Sequence, residues 1–224
     1  MCLISIKPSG VPLTDFFLEG IEAGAEGNSH GHGYMLKREG KQAFLFSKGM
    51  WSGEELVDRV KSLKVTKGDI LCVHNRLSTH GRKNSFNCHP FIVLPADRED
   101  RSWNKMLDVE GETELPLLMH NGIFSEYGYS NNFSDTFNFV RDFISEREVL
   151  KYSQSLVWLE KKIGYNKLAI LHPKLGLIRI GDFTEDQGYY FSNGGYKSYG
   201  RWKPEKQSKE PYIHDWTRHY GGDI

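Results

Sequence analysis

The sequence predicts an α+β fold, because its strand and helix patterns fall into groups instead of alternating. Short apolar runs bounded by glycine, proline or asparagine predict strands in two groups along the chain. Capped segments with apolar residues at helical spacing lie before and between those groups. A doubly wound fold would instead show regular strand–helix alternation around a parallel sheet.

The first half of the chain shows its element boundaries clearly. Ser52 and Glu55 form a capping box, and apolar residues recur on one face as far as Lys64, which predicts a helix. A further helix is predicted over residues 15–25. Strands are predicted over residues 3–6, 34–37, 43–47 and 69–74.

The second half continues with strands over residues 91–94 and 115–119, separated by an acidic, turn-rich stretch around Glu110-Gly111. Ser134 and Ser153 are each predicted to cap a helix. Three later strands are predicted over residues 167–171, 177–180 and 189–192.

The chain has 224 residues, of which 38% are hydrophobic, which suits one domain over residues 1–196. Residues 197–224 are polar with isolated aromatics, and we interpret them as a tail that packs back on the domain or docks a partner. Lysine plus arginine equals aspartate plus glutamate, at 29 each. This balance indicates neither nucleic acid nor an anionic membrane as principal partner.

The expected location is the cytoplasm. No window approaches the roughly 18 apolar residues of a membrane helix, and the N-terminus does not resemble a signal peptide. The cysteines, Cys2, Cys72 and Cys88, are odd in number, which indicates free thiols in a reducing compartment.

Cys2 is the first candidate for chemistry. Removal of Met1 would give Cys2 a free α-amine, and a reference pKa of roughly 7.7–8.0 makes that amine a usable base near neutral pH. A thiol with its own base needs no separate catalytic histidine. The structural alternative is a small residue that leads into a buried strand.

Three other segments carry groups that could act together with Cys2. Arg76 follows a predicted strand, where its guanidinium could grip a carboxylate with help from Thr79 and His80. Asn121-Gly122 offers a side-chain amide and a backbone N–H, the minimum for an oxyanion hole. Asp135 could bind an ammonium group. Taken singly, each segment is also explained by ordinary turn or helix-start chemistry.

In order along the chain, these segments resemble the class II glutamine amidotransferases, which are N-terminal nucleophile hydrolases. The resemblance covers about residues 1–195 and rests on several motifs: Met1-Cys2-Leu3-Ile4, the glycine-rich stretch 28–34, His74 to Gly81, Asn87-Cys88-His89-Pro90-Phe91, His120-Asn121-Gly122, Ser134-Asp135-Thr136 and Phe191-Ser192-Asn193. It implies a four-layer αββα sandwich of two antiparallel sheets flanked by helices.

The resemblance also implies a role for each residue. Cys2 would attack the side-chain amide of L-glutamine, forming a γ-glutamyl thioester and releasing ammonia. Asn121 and Gly122 would hold the oxyanion, and Asp135 would take the α-ammonium. The α-carboxylate would be bound by Arg76, Thr79 and His80. No cofactor and no metal are implied.

Two departures from the family pattern concern the substrate and the acceptor. The stretch Asn28-Ser29-His30-Gly31-His32 lacks the arginine and the acidic residue usual there. Family members also usually carry a synthase or transferase domain, whereas only a short tail follows residue 195. The ammonia acceptor is therefore expected on a separate subunit, or the domain is a simple amidohydrolase.

Three alternative interpretations remain. Six of the nine histidines lie in or beside the motifs, and the His30-x-His32 pair could belong to a metal-dependent hydrolase. A catalytically altered binding or regulatory module of the same fold is the second alternative. Acylation of Cys2 ranks last, because no polybasic stretch accompanies it.

Overall fold

The computed structural model describes residues 1–97 and 102–197. Trp202, Tyr212 and Trp216, three of the aromatics of the predicted tail, lie outside the described residues. The strands are β1 (Leu3–Lys7), β2 (His32–Lys37), β3 (Phe44–Met50), β4 (Ile70–Asn75), β5 (Phe91–Ile92), β6 (Glu110–Thr113), β7 (Leu117–Asn121), β8 (Lys167–His172), β9 (Gly176–Ile180), β10 (Thr184–Asp186) and β11 (Tyr189–Phe191). The α-helices are α1 (Asp15–Gly27), α2 (Gly53–Ser62), α3 (Asp135–Phe139) and α4 (Gln154–Ile163).

These strands form two antiparallel sheets. The larger has seven strands in the order β10-β11-β1-β4-β2-β3-β6, and the smaller has four in the order β5-β7-β8-β9. Strand β1, although first in the chain, is paired on both sides, with β11 and with β4. Its first residue, Leu3, lies opposite Asn75 at the end of β4.

The two faces of the larger sheet contribute side chains to two different hydrophobic clusters. Ile4, Ile6 and Cys72 belong to a cluster shared with the smaller sheet and with α3 and α4. Leu3 and Val73 point the other way, into a cluster shared with α1 and α2. Because successive side chains of a strand face opposite sides, one sheet contributes to both cores. The result is the predicted α+β sandwich of two sheets between helix layers.

Most predicted elements are confirmed, with changes at their ends. Ser52 caps α2 by accepting from the N–H of Glu55 at 3.1 Å, while the Glu55 carboxylate accepts from the N–H of Trp51 at 2.9 Å. Ser134 caps α3 through the N–H of Phe137 at 3.1 Å. Ser153 lies at the N-cap position of α4 as predicted, but its backbone already has αR angles and its side chain makes no capping hydrogen bond.

Three strands and one helix differ from the sequence prediction. Glu110–Thr113, predicted as turn-rich, forms β6 by pairing with β3, and Thr184–Asp186 forms the edge strand β10. Strand β5 ends at Ile92, two residues earlier than predicted. Helix α3 continues as a π-helix over Val140–Ser145.

Asp69 anchors the turn before β4 by accepting hydrogen bonds from the N–H groups of Thr66 and Glu39 and from Arg38, at 2.8–2.9 Å. Burial raises the pKa of Asp69, but these hydrogen bonds outweigh it and lower the pKa to about 2. The pKa of Asp69 is therefore lower in the folded protein than in the unfolded chain. Its ionised carboxylate contributes fully to the free energy of unfolding above pH ~4, and this contribution is lost as the pH falls through 2.

We therefore expect Asp69→Asn to lower the free energy of unfolding by roughly 2–3 kcal/mol at pH 7. The difference from the parent should shrink toward zero near pH 2. Urea denaturation at several pH values measures both effects. The exposed Asp58, changed to asparagine, is the matched control and should shift stability by less than about 0.5 kcal/mol. If Asp69→Asn lowered the free energy of unfolding equally at pH 7 and pH 2.5, the stabilisation would not come from the ionised Asp69 carboxylate.

Candidate active site

Cys2 lies immediately before β1, and two loops hold it. The N–H of Leu77 donates to its Sγ at 3.3 Å, and its thiol lies 3.5 Å from the Leu77 carbonyl oxygen. The side chain of Asn193 donates to the Cys2 carbonyl oxygen at 2.6 Å. The thiol is therefore positioned by the segment that follows β4 and by the end of β11.

Cys2 borders a small pocket that is partly open to solvent. Six of the seven residues predicted for the site line it: Cys2, Arg76, Thr79, His80, Gly122 and Asp135. Asn121 does not.

Arg76 is 2% exposed and is fixed by the loop that follows it. Its guanidinium donates to the carbonyl oxygens of Arg82 at 3.2 Å and His80 at 3.1 Å, and to the Ser78 hydroxyl at 3.0 Å. A guanidinium has five N–H donors, so these contacts leave donors for a ligand. Thr79 is exposed at the rim of the pocket.

Asp135, at the first turn of α3, supplies the pocket's carboxylate. Its oxygens accept from the N–H of Phe124 at 2.7 Å and from that of Thr136 at 2.9 Å. The residue is 5% exposed. Arg76 and Asp135 thus present a fixed cation and a fixed anion to the same pocket as the thiol.

Asn121 and Gly122 form the turn that ends β7. The Asn121 amide donates to the Ser192 hydroxyl at 2.9 Å, and the same hydroxyl accepts from the N–H of Ile4 at 2.8 Å. Ser192 thereby links the strand next to Cys2 with the Asn121 turn in the other sheet. Gly122 has φ +147°, a region that side chains rarely adopt.

Burial is the main influence on the Cys2 thiol and raises its pKa, while the hydrogen bond from Leu77 and the charge of Arg76 act in the opposite direction. The net effect is a raised pKa. A thiol of this kind is protonated at neutral pH, so attack by its sulfur requires a base.

Two imidazoles, of His89 and His120, line the pocket, and that of His74 packs against His89. His74 Nε2 is 2.9 Å from the carbonyl oxygen of His120, whose own ring nitrogens contact Thr136 Oγ1 at 2.7 Å and Asn166 Oδ1 at 2.9 Å. Burial is the largest cause that lowers the pKa of His74 to about 3 and of His120 to about 4. These rings are therefore neutral at pH 7.

The histidines of the metal alternative contact protein groups. His30 Nδ1 accepts from the N–H of Ser78 at 2.9 Å, and His32 Nδ1 lies 3.1 Å from the Asn75 amide. Within residues 1–97 and 102–197, no group of three histidine, cysteine or acidic side chains is arranged to hold a metal ion.

Several residues at the site were not predicted. Leu77 acts through its backbone, which leaves no side-chain signal in the sequence. Asn166 lies outside every motif, yet it accepts from the N–H of Ile123 at 2.7 Å and so fixes the turn after β7. Ser192 and Asn193 belonged to a quoted motif without a role, and so did His89.

Two antiparallel sheets between helix layers make this an αββα sandwich. Among solved structures, the chain is similar to glutamine phosphoribosylpyrophosphate (PRPP) amidotransferase from B. subtilis in complex with ADP and GMP, with TM-score 0.51. The similarity covers 85% of this chain and 41% of that one, at 14% sequence identity, and it shows the shared fold. No protein-family model and no curated protein matches the chain. None of the described helices is both long and apolar enough to cross a membrane.

Proposed function

We propose that this chain hydrolyses L-glutamine with Cys2 as the nucleophile. One observation carries the proposal: a thiol, a guanidinium and a carboxylate line a single pocket. Glutamine carries a carboxylate and an ammonium at one end and a neutral amide at the other. A fixed cation and a fixed anion select the charged end, and the thiol is left for the amide.

In the proposed reaction, the α-amine of Cys2, freed by removal of Met1, accepts the thiol proton. The sulfur attacks the amide carbon, and the N–H of Gly122, which lines the pocket, holds the oxyanion. The Asn121 amide, whose second N–H is not used by Ser192, is proposed as the second donor, although its side chain does not line the pocket in this structure. The carbon–nitrogen bond breaks, and ammonia leaves with the proton. Water then hydrolyses the thioester to glutamate and restores the thiol.

In the proposal, separate residues bind the two charged groups of glutamine. Arg76, with Thr79 and His80 beside it, binds the α-carboxylate, and Asp135 binds the α-ammonium. The ammonia passes to an acceptor on a separate subunit or is released, in which case the chain is a simple amidohydrolase. The proposed domain spans residues 1–196, with residues 197–224 as its tail.

A non-catalytic binding module of the same fold is the second candidate. It is favoured by the contacts that Arg76 and Asp135 already make with protein groups, which stabilise both charges without a ligand. Such a module would bind glutamine without turnover.

Covalent labelling together with a coupled assay for released ammonia separates the two candidates, because a binding module would release no ammonia. Intact-mass spectrometry of the native protein is expected to show that Met1 is absent. A chloroketone analogue of glutamine should then add one adduct per chain, mapped to Cys2, and excess L-glutamine should protect against it. Cys72 and Cys88, both 0% exposed, are internal controls that should stay unlabelled. Retained Met1, or labelling that glutamine does not slow, would overturn the enzyme proposal.

A further inference from the structure

Asn87 is a fully buried asparagine whose side chain connects two segments of the pocket wall. It is 0% exposed and does not itself line the pocket. Its amide donates to the carbonyl oxygens of Arg82 at 3.1 Å and Asn132 at 2.7 Å, and its oxygen accepts from the N–H of Ser134 at 2.8 Å. Both N–H groups and the oxygen of the amide are therefore in use, and only this orientation of the amide matches all three partners.

One of the two connected segments holds the cation of the pocket. The Arg82 carbonyl oxygen that accepts from Asn87 also accepts from the Arg76 guanidinium, at 3.2 Å. That guanidinium donates to the carbonyl oxygen of His80 in the same loop, at 3.1 Å. Because Asn87 and Arg76 share an acceptor, the loop that carries Arg82 sets the position of the guanidinium.

The other connected segment leads into α3 and to the anion of the pocket. Asp135 directly follows Ser134, whose N–H is bound by Asn87 and whose hydroxyl caps α3. Asn132, two residues before Ser134, is the other point of attachment. The backbone that leads to the Asp135 carboxylate is therefore attached to Asn87 at two places.

The two segments also touch directly, at Gly81. This glycine has φ +73°, and an added Cβ would lie 2.7 Å from the backbone nitrogen of Ser134. The contact limits how closely the segments can approach, and the hydrogen bonds of Asn87 limit how far they can separate. Opposite charges in a poorly solvated pocket attract each other, so two charges that must each bind a ligand need such a rigid spacing.

We propose that Asn87 is a positioning residue that sets the spacing of the Arg76 guanidinium and the Asp135 carboxylate, and with it the preference of the pocket for the charged end of an α-amino acid. The inference rests on the function proposed above. In an α-amino acid the carboxylate and the ammonium are attached to the same carbon, so the groups that bind them must stand at one fixed spacing. A displacement of about 1 Å in such a site can lower a rate by about 100-fold.

Asn87→Ala tests the proposal, because it removes all three hydrogen bonds and changes no group that lines the pocket. We expect KM for L-glutamine to rise roughly 10- to 100-fold, with kcat within a few-fold of the parent, since the loss falls on binding of the charged end. Labelling of Cys2 distinguishes this effect from general damage. The rate with the chloroketone, which has the α-carboxylate and the α-ammonium, should fall by a similar factor. The rate with iodoacetamide, which has neither group, should stay within about threefold of the parent.

Asn138→Ala is the matched control for this experiment. Asn138 is also 0% exposed, lies in the helix that carries Asp135 and donates to the Tyr127 carbonyl oxygen at 2.9 Å, but it does not line the pocket. Its variant should leave the ratio of the two labelling rates unchanged. Asn87→Asp keeps the acceptor for Ser134 and loses both donors, so it should lower the same ratio; it serves if Asn87→Ala fails to fold.

Three results would overturn the inference. Equal losses with both reagents would assign Asn87 a general structural role, and an unchanged KM with unchanged chloroketone labelling would mean that the spacing does not depend on it. A parent protein that neither hydrolyses glutamine nor reacts with the chloroketone would overturn the proposed function, and this inference with it.

Discussion

We expect Cys2→Ala to lose glutamine hydrolysis, with kcat lower by on the order of 10⁴- to 10⁶-fold, as for the loss of nucleophiles in other hydrolases. Alanine in second position still permits removal of Met1, so the α-amine stays and only the sulfur is lost. Without sulfur no thioester forms, and water alone must attack the amide. A coupled assay for released ammonia measures the rate.

Cys88→Ser is the matched control for this experiment. Cys88 is buried and its thiol lies 3.4 Å from the Asn84 carbonyl oxygen, but it does not line the pocket. Its variant should keep activity within a few-fold of the parent, because a serine hydroxyl can donate to the same oxygen. Equal rates for Cys2→Ala and the parent would show that hydrolysis does not depend on the thiol.

We expect Gly33→Ala to reduce the free energy of unfolding by about 3 kcal/mol or more, through steric overlap in the core. An added Cβ at Gly33 would overlap the carbonyl oxygen of His89 and lie 2.8 Å from that of Ser47. Both obstacles are backbone atoms, which cannot rotate away. Relief would require β2 to separate from the segment that carries His89.

Gly27→Ala provides the comparison for that measurement. Gly27 is the last residue of α1, and nothing lies within 4 Å of the position of its added Cβ. This change should leave stability unchanged or raise it by up to about 1 kcal/mol, because alanine favours helix. Thermal and urea unfolding of both variants test the contrast. Similar losses in both would contradict the steric explanation.

The sequence predicted an element best where its capping residues and its pattern of buried residues indicated the same element. The Ser52–Glu55 box forms because serine and glutamate satisfy N–H groups at a helix start wherever that helix packs. Strand β6 could not be predicted in this way. Glu110 to Glu112 are exposed and lack apolar alternation, so their strand depends on pairing with β3, a partner distant in the chain.

In the candidate site, too, some residues could be predicted from local sequence and others could not. Arg76, Gly122 and Asp135 were found because their side chains or turn chemistry are visible in the sequence, and all three line the pocket. Ser192 joins the two sheets through a single hydroxyl, and its partners Ile4 and Asn121 are 188 and 71 residues away. Only the folded chain brings such groups together, so a local motif cannot assign them.

The position of β1 has a consequence for motion near Cys2. Chain ends usually fray, and amide protons near them exchange rapidly with solvent. Here Leu3 starts a strand hydrogen-bonded on both sides and buried along its whole length. The amides of Ile4 and Ile6 should therefore exchange only in rare openings of the larger sheet. Cys2 is thus attached directly to a strand that is paired on both sides.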